Sequence, residues 1–477
     1  MNAARWLLEG SERRPDAPAL VAKGRRWTHR ELRAHAMGVA ADLVARGVRP
    51  GDRVATIAAN TPELAAVLLG TMLAGATAVP LPVSDPPARL ARMLARSHPI
   101  AIYAEGRAAE LAAAPGRVFD EVLPGAFEAA PTTAPALVLF TSGSTGEPRG
   151  VMLSHANVVA NTTSILASLP IREADRMMAV LPFYYSFGAS VLFTHVRAGA
   201  CVVLNNGFMF ADRVLEEMVR EGCTAFAGVP STFQILLRRS SLPKMTFPAL
   251  RYVQQAGGRL APTFVAELAS RLPDVEIWLM YGQTEATARL SVLDPSRITD
   301  KGHTIGKPIP GVSLEIEDGE IVARGANIAL GYLDEPEATA ETFVNGALRT
   351  GDLGHVDEEG FFVVDDRAKD FLKCAGYRVS MKEVEDTLVA FTGTVEAAVV
   401  GIPDDLQGEA VEAWIVHPDG EAIRPSLDAY CKRSLAQHLQ PRAVVFIDAL
   451  PKTAAGKLAR AELRARSRAR REEGRPA

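Results

Sequence analysis

Apolar runs of strand length alternate with amphipathic stretches of helix length over most of the first 300 residues. Between Val54 and Leu81 the order is apolar run, amphipathic stretch, apolar run, and Thr61 followed by Pro62 is typical of a helix N-terminus. This alternation predicts parallel sheets covered by helices on both faces, an α/β fold. Further strands are predicted at 101–105, 137–140, 177–181, 200–204, 224–227, 251–255 and 276–280.

The pattern changes between about 312 and 366, where shorter alternating segments with Asp-Gly and Glu-Gly turns predict a smaller β-rich lobe. A stretch dense in charge and glycine follows near 367–370, and the rest of the chain has its own strand and helix alternation. We therefore predict a large N-terminal domain at 1–367, which includes the β-lobe, and a small α+β C-terminal domain at 368–477.

In parallel sheets, ligands bind beyond the carboxyl ends of the strands, where the following loops converge. The loops after the predicted strands lie at 182–188, 228–233, 256–262 and 281–287. The sequence therefore predicts that PFYYSFG, GVPSTF, AGGRLAP and YGQTEAT meet around one crevice.

The strand predicted at 137–140 leads directly into a loop made only of hydroxyl residues and glycines. Glycine lets backbone N–H groups turn inward, hydroxyls add donors without bulk, and Arg149 adds a charge that can fork onto phosphate oxygens. A Ser/Gly-rich surface turn is the alternative, but the preceding strand and the following cation favour a phosphate site. The residues of this loop are Thr141, Ser142, Gly143, Ser144, Thr145 and Gly146.

A chain of 477 residues is too long for one compact core, which agrees with two domains. The net charge of −4 argues against a nucleic-acid partner bound through a broad basic face. The 4 cysteines form no CxxC pair, so they indicate neither a disulfide framework nor a zinc site, and a reducing cytoplasm fits best. The N-terminus meets charge too early for a signal peptide, and no apolar run reaches the roughly 18 residues of a membrane span.

Glu285 lies in one of the converging loops, where its carboxylate would repel bound phosphates. Two like charges about 4 Å apart cost roughly 4 kcal/mol at an effective dielectric of about 20, and a magnesium ion between them removes that repulsion. A glutamate that offsets a helix macrodipole is the alternative interpretation.

Asp352, in LRTGDLG, follows a glycine and a predicted strand, which indicates a tight exposed turn whose carboxylate can accept both hydroxyls of a ribose. A self-capping Asx turn is the alternative. Arg367 and Lys369 lie at the predicted domain boundary, where cations usually mark a solvated linker, and spacing alone gives Lys457 only a surface position.

Five segments, in this order and with these separations, resemble the adenylate-forming superfamily of acyl-CoA synthetases, peptide-synthetase adenylation domains and firefly-type luciferases. The segments are TSGSTGEPRG, YGQTEA, RTGDLG, DRAKDFLKCAGYR and PKTAAGK. The resemblance implies a two-step reaction. A carboxylate attacks the α-phosphate of ATP and releases pyrophosphate, and a thiol then displaces AMP from the acyl-adenylate.

The resemblance also implies which residues would surround ATP. The glycine-rich loop would hold the β- and γ-phosphates, Thr284 would contact the α-phosphate, and Glu285 with Thr145 would bind Mg²⁺. Adenine and ribose would be held by Gly257, Gly258, Tyr281, Gly282, Asp352 and Arg367.

A mobile small domain is the further implication of the resemblance. Lys457 would reach in from that domain and neutralise charge that develops on the attacked phosphate. Lys369 matches the hinge about which the small domain would rotate. Rotation would withdraw Lys457 and bring Lys373 and Gly376 to the adenylate, which opens a path for the thiol.

The sequence departs from the family pattern at two positions. The glycine loop usually ends in PKG, but here it ends in PRG, so the phosphate contact of Arg149 differs from that of a lysine. Peptide-synthetase domains that select α-amino acids usually place an aspartate near the position of Ser186 to pair with the substrate ammonium. Because a buried ammonium without a counter-charge is costly, an α-amino acid substrate is disfavoured.

The predicted acid pocket is largely apolar with phenol groups, which favours an aromatic or aliphatic carboxylic acid. We expect some of its residues to belong to the protein core instead. Besides Ser186, the predicted wall consists of Tyr184, Tyr185, Phe187, Val229, Phe233 and Ala256.

The preferred hypothesis is an AMP-forming ligase that uses ATP and Mg²⁺ and passes the acyl group to coenzyme A. A rival keeps the first step but loads the phosphopantetheine arm of a carrier protein, as free-standing adenylation enzymes of natural-product biosynthesis do. A serine hydrolase is disfavoured because neither Ser142 nor Ser144 lies in a GxSxG elbow, and a Walker-type NTPase because no GxxxxGK[ST] occurs. An oxidative luciferase shares these motifs, and light emission with a luciferin would identify one.

Overall fold

The computed structural model describes residues 1–105, 117–119, 121–142, 148–367, 371–374, 377–404, 408–453 and 456–472. The helices of these residues are α1 (Ala3–Leu8), α2 (His29–Ala45), α3 (Pro62–Leu73), α4 (Pro87–Ser97), α5 (His155–Ser168), α6 (Ser186–Ala198), α7 (Ala211–Arg220), α8 (Pro230–Arg239), α9 (Pro262–Arg271), α10 (Ile298–Lys301), α11 (Pro336–Thr342), α12 (Met381–Ala390), α13 (Arg424–Ser434) and α14 (Arg460–Glu472).

The strands up to residue 308 are β1 (Pro18–Ala22), β2 (Arg25–Thr28), β3 (Arg53–Thr56), β4 (Thr77–Pro80), β5 (Ala101–Tyr103), β6 (Arg117–Phe119), β7 (Pro135–Ser142), β8 (Pro148–Ser154), β9 (Arg176–Ala179), β10 (Cys201–Leu204), β11 (Ala225–Gly228), β12 (Tyr252–Gln255), β13 (Glu276–Tyr281), β14 (Ser291–Leu293) and β15 (Lys307–Pro308). The later strands are β16 (Val312–Glu317), β17 (Glu320–Gly325), β18 (Gly331–Tyr332), β19 (Phe343–Val344), β20 (Ala347–Val356), β21 (Phe362–Arg367), β22 (Phe371–Cys374), β23 (Tyr377–Ser380), β24 (Glu396–Asp404), β25 (Gly408–Val416) and β26 (Ala443–Phe446).

A nine-stranded sheet with the order β15-β14-β13-β12-β11-β9-β10-β1-β2 forms the centre of the large domain. The six strands from β13 to β1 pair in parallel, and only the edge strands are antiparallel. The strands predicted between 177 and 280 are confirmed as β9 to β13, with ends displaced by no more than two residues. The predicted parallel α/β fold is therefore confirmed.

A second sheet of seven strands has the order β18-β8-β7-β4-β3-β5-β6. Its β3–α3–β4 unit is the predicted strand, helix, strand unit, and Thr61 caps α3 by accepting a hydrogen bond from the Leu64 N–H at 3.1 Å. The glycine-rich loop lies between β7 and β8, which pair with each other antiparallel. Residues 143–147 of that loop lie outside the described residues.

Two smaller sheets follow in the chain. Strands β16, β17, β19, β20 and β21 form the predicted β-rich lobe, and β22 to β26 form the sheet of the small C-terminal domain. The predicted hinge and boundary at 368–370 lie outside the described residues, so the division at 367 stays a prediction.

Two hydrophobic clusters pack against the nine-stranded sheet. One contains Tyr185, Phe187, Val229 and Ala256 together with α3 and α6, and the other contains Phe226, Phe264 and the inner faces of α7, α8 and α9. All four cysteines are buried free thiols. In the part of the chain that the structure describes, no helix has the length and apolar character needed to cross a bilayer.

Asp175 ties together the amino ends of three parallel strands. Its side chain is 1% exposed and forms an ion pair with Arg251 at 2.5 Å, just before β12. It also accepts hydrogen bonds from the Thr224 hydroxyl, just before β11, and from the Arg172 N–H, both at 2.7 Å. The opposite ends of these strands carry the converging loops, so this network fixes the base on which the loops are built.

We expect Asp175→Ala to destabilise the protein by about 3–5 kcal/mol, because it leaves a half-buried guanidinium and a hydroxyl without their acceptor. Asp42→Ala is the matched control, since Asp42 pairs with Arg46 at 2.5 Å on the surface of α2, and it should cost no more than about 0.5 kcal/mol. Urea unfolding followed by tryptophan fluorescence measures both. Equal midpoints for the two variants would contradict the assigned role of Asp175.

Candidate active site

The four loops that follow the central parallel strands lie in contact with one another. A Cβ added to Gly257 would be 2.3 Å from the hydroxyl of Tyr185 and 3.0 Å from Cγ1 of Val229. Thr284 donates a hydrogen bond from its hydroxyl to that of Ser186 at 3.2 Å. The structure therefore places these loops around one crevice, where only a glycine fits at 257.

Asp352 lies within strand β20 and is 4% exposed, so the exposed turn predicted for it is wrong. Strand β20 is an inner strand between β17 and β21, and irregular register near Gly351, which has φ +73°, turns the Asp352 carboxylate inward. The Tyr281 hydroxyl donates to this carboxylate at 2.5 Å. The predicted ribose and adenine residues thus lie side by side at the end of β13.

A strained turn presents Thr284 and Glu285 at the crevice. Thr287 has φ +66° and ψ −55°, and the Ala288 N–H donates to the Ala286 carbonyl at 2.7 Å, which is the hydrogen bond of a γ-turn. Left-handed φ is unfavourable for a β-branched residue, so the surrounding structure must impose this turn.

Asn327 supplies that constraint from a separate loop. Its side-chain amide donates to the backbone carbonyls of Ala286 at 3.2 Å and Arg289 at 2.9 Å. The backbone carbonyl of Asn327 accepts a hydrogen bond from the Thr287 hydroxyl at 2.7 Å. The turn is therefore held on both sides, and nothing in the local sequence indicates this partner.

Glu285 is oriented by a phenol. The Tyr332 hydroxyl donates to Oε1 of Glu285 at 3.0 Å. Burial, together with the adjacent Glu285 carboxylate, raises the pKa of Tyr332 to about 12, so the phenol stays protonated and remains a donor at neutral pH. Strand β18, which contains Tyr332, pairs with β8, the strand that returns from the glycine-rich loop. Glu285 therefore opens beside the predicted phosphate site.

Arg149 is already engaged by protein groups. Its Nε pairs with Glu335 at 2.9 Å, its Cζ lies 4.8 Å from the centre of the Tyr332 ring, and Arg96 pairs with the same Glu335 carboxylate. The Thr141 hydroxyl donates to the Arg149 carbonyl at 3.4 Å. One edge of the guanidinium is thus bound to the protein, and its contact with phosphate stays a prediction.

Lys457 extends from the small domain into the same crevice. It lies in a tight loop in which Thr453 N–H donates to the Lys457 carbonyl at 2.7 Å, and Gly456 has φ +74°. The Ser231 hydroxyl of the large domain donates to the Gly456 carbonyl at 3.0 Å. The Lys457 ammonium lies 5.2 Å from the centre of the Tyr185 ring. Lys457 is exposed, as its spacing predicts, and its ammonium also lies at the predicted acid pocket.

The predicted pocket residues separate into two groups. Tyr184, Tyr185, Phe187, Val229 and Ala256 belong to one hydrophobic cluster, or pack against it. Phe233 lies in the other cluster, where its ring meets Phe226 edge-on at 5.8 Å between centroids. Helix α8 turns back onto the sheet after Val229, so Phe233 is a core residue and does not line the pocket wall predicted for it.

The tight turns at the predicted adenine position have a steric reason. A Cβ on Gly282 would be 2.1 Å from the Ala288 carbonyl oxygen, so the turn after β13 closes only with glycine there. Gly258 is exposed at the rim of the crevice. The backbone of Arg367 pairs with that of Asp352 across β20 and β21.

Several predicted site residues remain untested by the geometry. Gly143, Ser144, Thr145, Gly146, Lys369 and Gly376 lie outside the described residues, as do the side chains of Ser142, Arg367 and Lys373.

The donor set at the crevice fits magnesium bound jointly by the protein and a nucleotide. Mg²⁺ prefers oxygen ligands and is usually held by one or two carboxylates together with substrate phosphates. Glu285 offers such a carboxylate, while among the described residues no cluster of three His, Cys, Asp or Glu side chains could cage an ion.

Three residues of the site were not singled out in the sequence: Asn327, Tyr332 and Arg289. Arg289 had a recognisable signal, because it is the one charged residue between Glu285 and Asp294 in the sequence. Its side chain is only 2% exposed. Asn327 and Tyr332 act through contacts about 40 residues distant in sequence, which local patterns do not reveal.

Two family models match the chain. The model described as AMP-binding enzyme matches residues 7–333, and that described as AMP-binding enzyme C-terminal domain matches residues 383–457. The chain is 34% identical to 3-[(3aS,4S,7aS)-7a-methyl-1,5-dioxo-octahydro-1H-inden-4-yl]propanoyl:CoA ligase of Mycobacterium tuberculosis, covering 94% of this chain and 96% of that protein. It is 33% identical to a feruloyl-CoA synthase of an Amycolatopsis species, covering 97% and 98% respectively.

The chain is also similar to a solved structure of o-succinylbenzoate CoA synthetase from Bacillus subtilis in complex with an acyl-adenylate. The TM-score is 0.86 at 28% identity, with 96% of this chain and 97% of that chain covered. The similarity spans both the large and the small domain.

We expect Tyr332→Phe to raise the Mg²⁺ concentration needed for ATP binding by about tenfold, since loss of a hydrogen bond that orients a ligand carboxylate typically costs about 10–100-fold. The ring, its packing on Phe343 and the stacking of Arg149 are kept. Tyr281→Phe is the matched control, because it removes a phenol from Asp352 and leaves Glu285 unchanged. Isothermal titration at several Mg²⁺ concentrations distinguishes them, and an equal Mg²⁺ dependence would contradict a metal role for Glu285.

Proposed function

The chain belongs to the AMP-binding enzyme family, and on that premise we propose that it is an AMP-forming ligase that joins a carboxylic acid to coenzyme A. The observation that carries the proposal is the position of Lys457, whose ammonium lies 5.2 Å from the Tyr185 ring centre although the residue belongs to the small domain. Its placement supports adenylation, because a cation is needed where the acid meets the α-phosphate.

In the first step, a carboxylate oxygen of the acid bonds to the α-phosphorus of ATP. The bond from that phosphorus to its bridging oxygen breaks, and pyrophosphate leaves with the electron pair. Lys457 neutralises the charge that develops on the attacked phosphate, and Thr284 hydrogen-bonds an α-phosphate oxygen. Mg²⁺, when bound, supplies positive charge that offsets the charge of the phosphates.

The remaining nucleotide contacts follow from the carboxylates and their phenols. Glu285, held by Tyr332, provides the protein ligand for Mg²⁺, and Asp352, held by Tyr281, accepts the ribose hydroxyls. The glycine-rich loop holds the β- and γ-phosphates next to Arg149. Each carboxylate thus accepts a hydrogen bond from a phenol, which orients it towards the ligand that it would bind.

The pocket supports a non-amino acid as substrate. Tyr185, Phe187, Val229 and Ala256, which would enclose it, all belong to one hydrophobic cluster. The hydroxyl of Ser186 accepts a hydrogen bond from Thr284 and supplies no negative charge for a substrate ammonium. An aromatic or aliphatic carboxylic acid therefore suits the pocket better than an α-amino acid does.

In the second step, the thiol sulfur attacks the acyl carbonyl carbon and the bond to AMP breaks, while the thiol proton passes to solvent. Lys457 must first leave, since its loop occupies the approach beside Val229, where a Cβ on Gly456 would be 3.3 Å away. Rotation about Lys369 would bring Lys373 and Gly376 to the adenylate in its place.

A carrier protein is the alternative acceptor, with its phosphopantetheine arm in place of coenzyme A. Both acceptors present the same thiol, and the described residues do not separate them. The similarity to CoA ligases over both domains favours coenzyme A.

We expect Lys457→Ala to slow adenylation, measured as acid-dependent pyrophosphate exchange, by about 100–1,000-fold, because it removes one preorganised charge from the transition state. Thioester formation from preformed adenylate should be largely unchanged. Lys432→Ala, at an exposed lysine of the small domain, is the control and should affect neither half-reaction. Equal loss of both half-reactions in Lys457→Ala would contradict the proposed rotation.

The acceptor is decided by a separate experiment. With acid, ATP and Mg²⁺, the protein should form a thioester on coenzyme A supplied at millimolar concentration, detected by mass spectrometry. A parallel reaction with a phosphopantetheinylated carrier protein is the comparison. Acyl transfer to the carrier protein without any acyl-CoA would show that the acceptor is the carrier protein and not coenzyme A.

A further inference from the structure

Arg289 is a buried cation directly behind the strained turn of the active site. Its side chain is 2% exposed. Its carbonyl accepts hydrogen bonds from the side-chain amides of Asn161 and Asn327, both at 2.9 Å. The backbone is therefore fixed, and the direction of the side chain is set by the protein and not by solvent.

No carboxylate of the described residues forms an ion pair with Arg289, and its Nε has no hydrogen-bond partner there. Burial lowers the pKa of Arg289 to about 10, partly offset by the Tyr185 phenol, so the guanidinium is still charged at neutral pH. Buried charges are normally paired, because desolvation without a partner is costly. A cation kept in this state indicates that its partner is supplied from outside the chain.

The guanidinium faces the proposed acid pocket. Its Cζ lies 4.9 Å from the centre of the ring of Phe187, a residue of the predicted pocket wall. The Lys457 ammonium lies 5.2 Å from the centre of the ring of Tyr185, which is two residues before Phe187 in the same predicted wall. An acid held along Tyr185 and Phe187 therefore has a lysine at one end and an arginine at the other.

We propose that the substrate is a dicarboxylic acid whose second, unreacted carboxylate pairs with Arg289. This inference rests on the proposed ligase function and adds to it the class of acid. One carboxylate is adenylated beside Lys457, and the other receives two parallel N–H donors of the planar guanidinium, whose geometry matches a carboxylate. The Phe187 ring keeps the guanidinium plane oriented. A monocarboxylic acid of the same size leaves Arg289 buried and unpaired.

The test compares each diacid with its own monomethyl ester. Succinic, glutaric, adipic and phthalic acid, and their monomethyl esters, are supplied with ATP, Mg²⁺ and the thiol acceptor, so that the acyl-adenylate is consumed, and pyrophosphate release gives kcat/KM. For the preferred diacid we expect an advantage over its ester on the order of 100-fold or more, since a site built to bind a polar group rejects the analogue that lacks it.

Arg289→Met should remove that advantage, with kcat/KM falling for the diacid and rising for the monoester. Arg289→Lys keeps the positive charge but lacks the two parallel N–H donors, so it should retain only part of the preference for the diacid. Arg238→Met is the matched control, because Arg238 also lies over a phenylalanine, Phe264 at 4.7 Å, but pairs with Glu267 at 2.6 Å outside the crevice. It should leave the ratio of diacid to ester unchanged.

A thermal readout gives a second test that does not require turnover. Without substrate, Arg289→Met should raise Tm, because an unpaired buried charge is removed, whereas an arginine that only supports the fold would give a lower Tm. The preferred diacid, without ATP, should raise the Tm of the wild-type protein and not that of Arg289→Met.

The outcomes separate this inference from the proposed function. Pyrophosphate release with monoesters as fast as with diacids, or an equal loss for both in Arg289→Met, overturns the inference and leaves the ligase function standing. A diacid-dependent Tm shift that requires Arg289, without pyrophosphate release, supports the carboxylate site and contradicts the ligase. If no diacid shifts the Tm and none is preferred over its ester, the inference is overturned.

Discussion

Parallel pairing of β11, β12 and β13 determines where the chemistry of this protein lies. Gly228 pairs with Gln255 and Gln255 with Leu279, so β11 and β12 end at the same level and β13 ends two residues further on, at Tyr281. The residues that follow therefore leave the sheet together and form the crevice. At the other end of the sheet, Asp175 anchors the beginnings of neighbouring strands and prevents them from sliding. Register, which is a property of the backbone, thus places side chains from four separate loops within contact distance.

The charged groups of the crevice share an unusual choice of partners. Glu285 accepts from a phenol, Lys457 lies over a phenol ring, and Arg289 lies over a phenyl ring. Within the described ranges none of the three forms an ion pair with another side chain. Each is positioned by a neutral aromatic group that leaves its charge unneutralised. Such an arrangement leaves unpaired charges in the crevice. They can bind ligands of opposite charge, which here are the metal, the nucleotide and the acid.

Features that depend on residues close together in the chain can be predicted from the sequence. The cap at Thr61, the strand lengths and the convergence of the loops follow from patterns within about a dozen residues. Asp352 was misplaced because a buried, irregular inner strand has the same local signature as a glycine turn, and only its neighbours β17 and β21 distinguish the two. Phe233 was assigned to the pocket because a loop motif does not show where helix α8 turns back. Asn327 and Tyr332 act over distances in sequence that no local pattern covers.

The burial of the four cysteines matters for the chemistry proposed for the crevice, because it lowers the reactivity of their thiols. Burial raises the pKa of Cys201 and Cys431 to about 11 and that of Cys223 to about 12, and it also raises the pKa of Cys374. Cys374 adjoins Lys373, in the segment expected to approach the adenylate, yet it is 1% exposed. An activated acyl group reacts with thiolates, and these thiols are kept protonated and covered. These four cysteines are therefore poor competitors for the mixed anhydride, which favours the thiol that enters from solution.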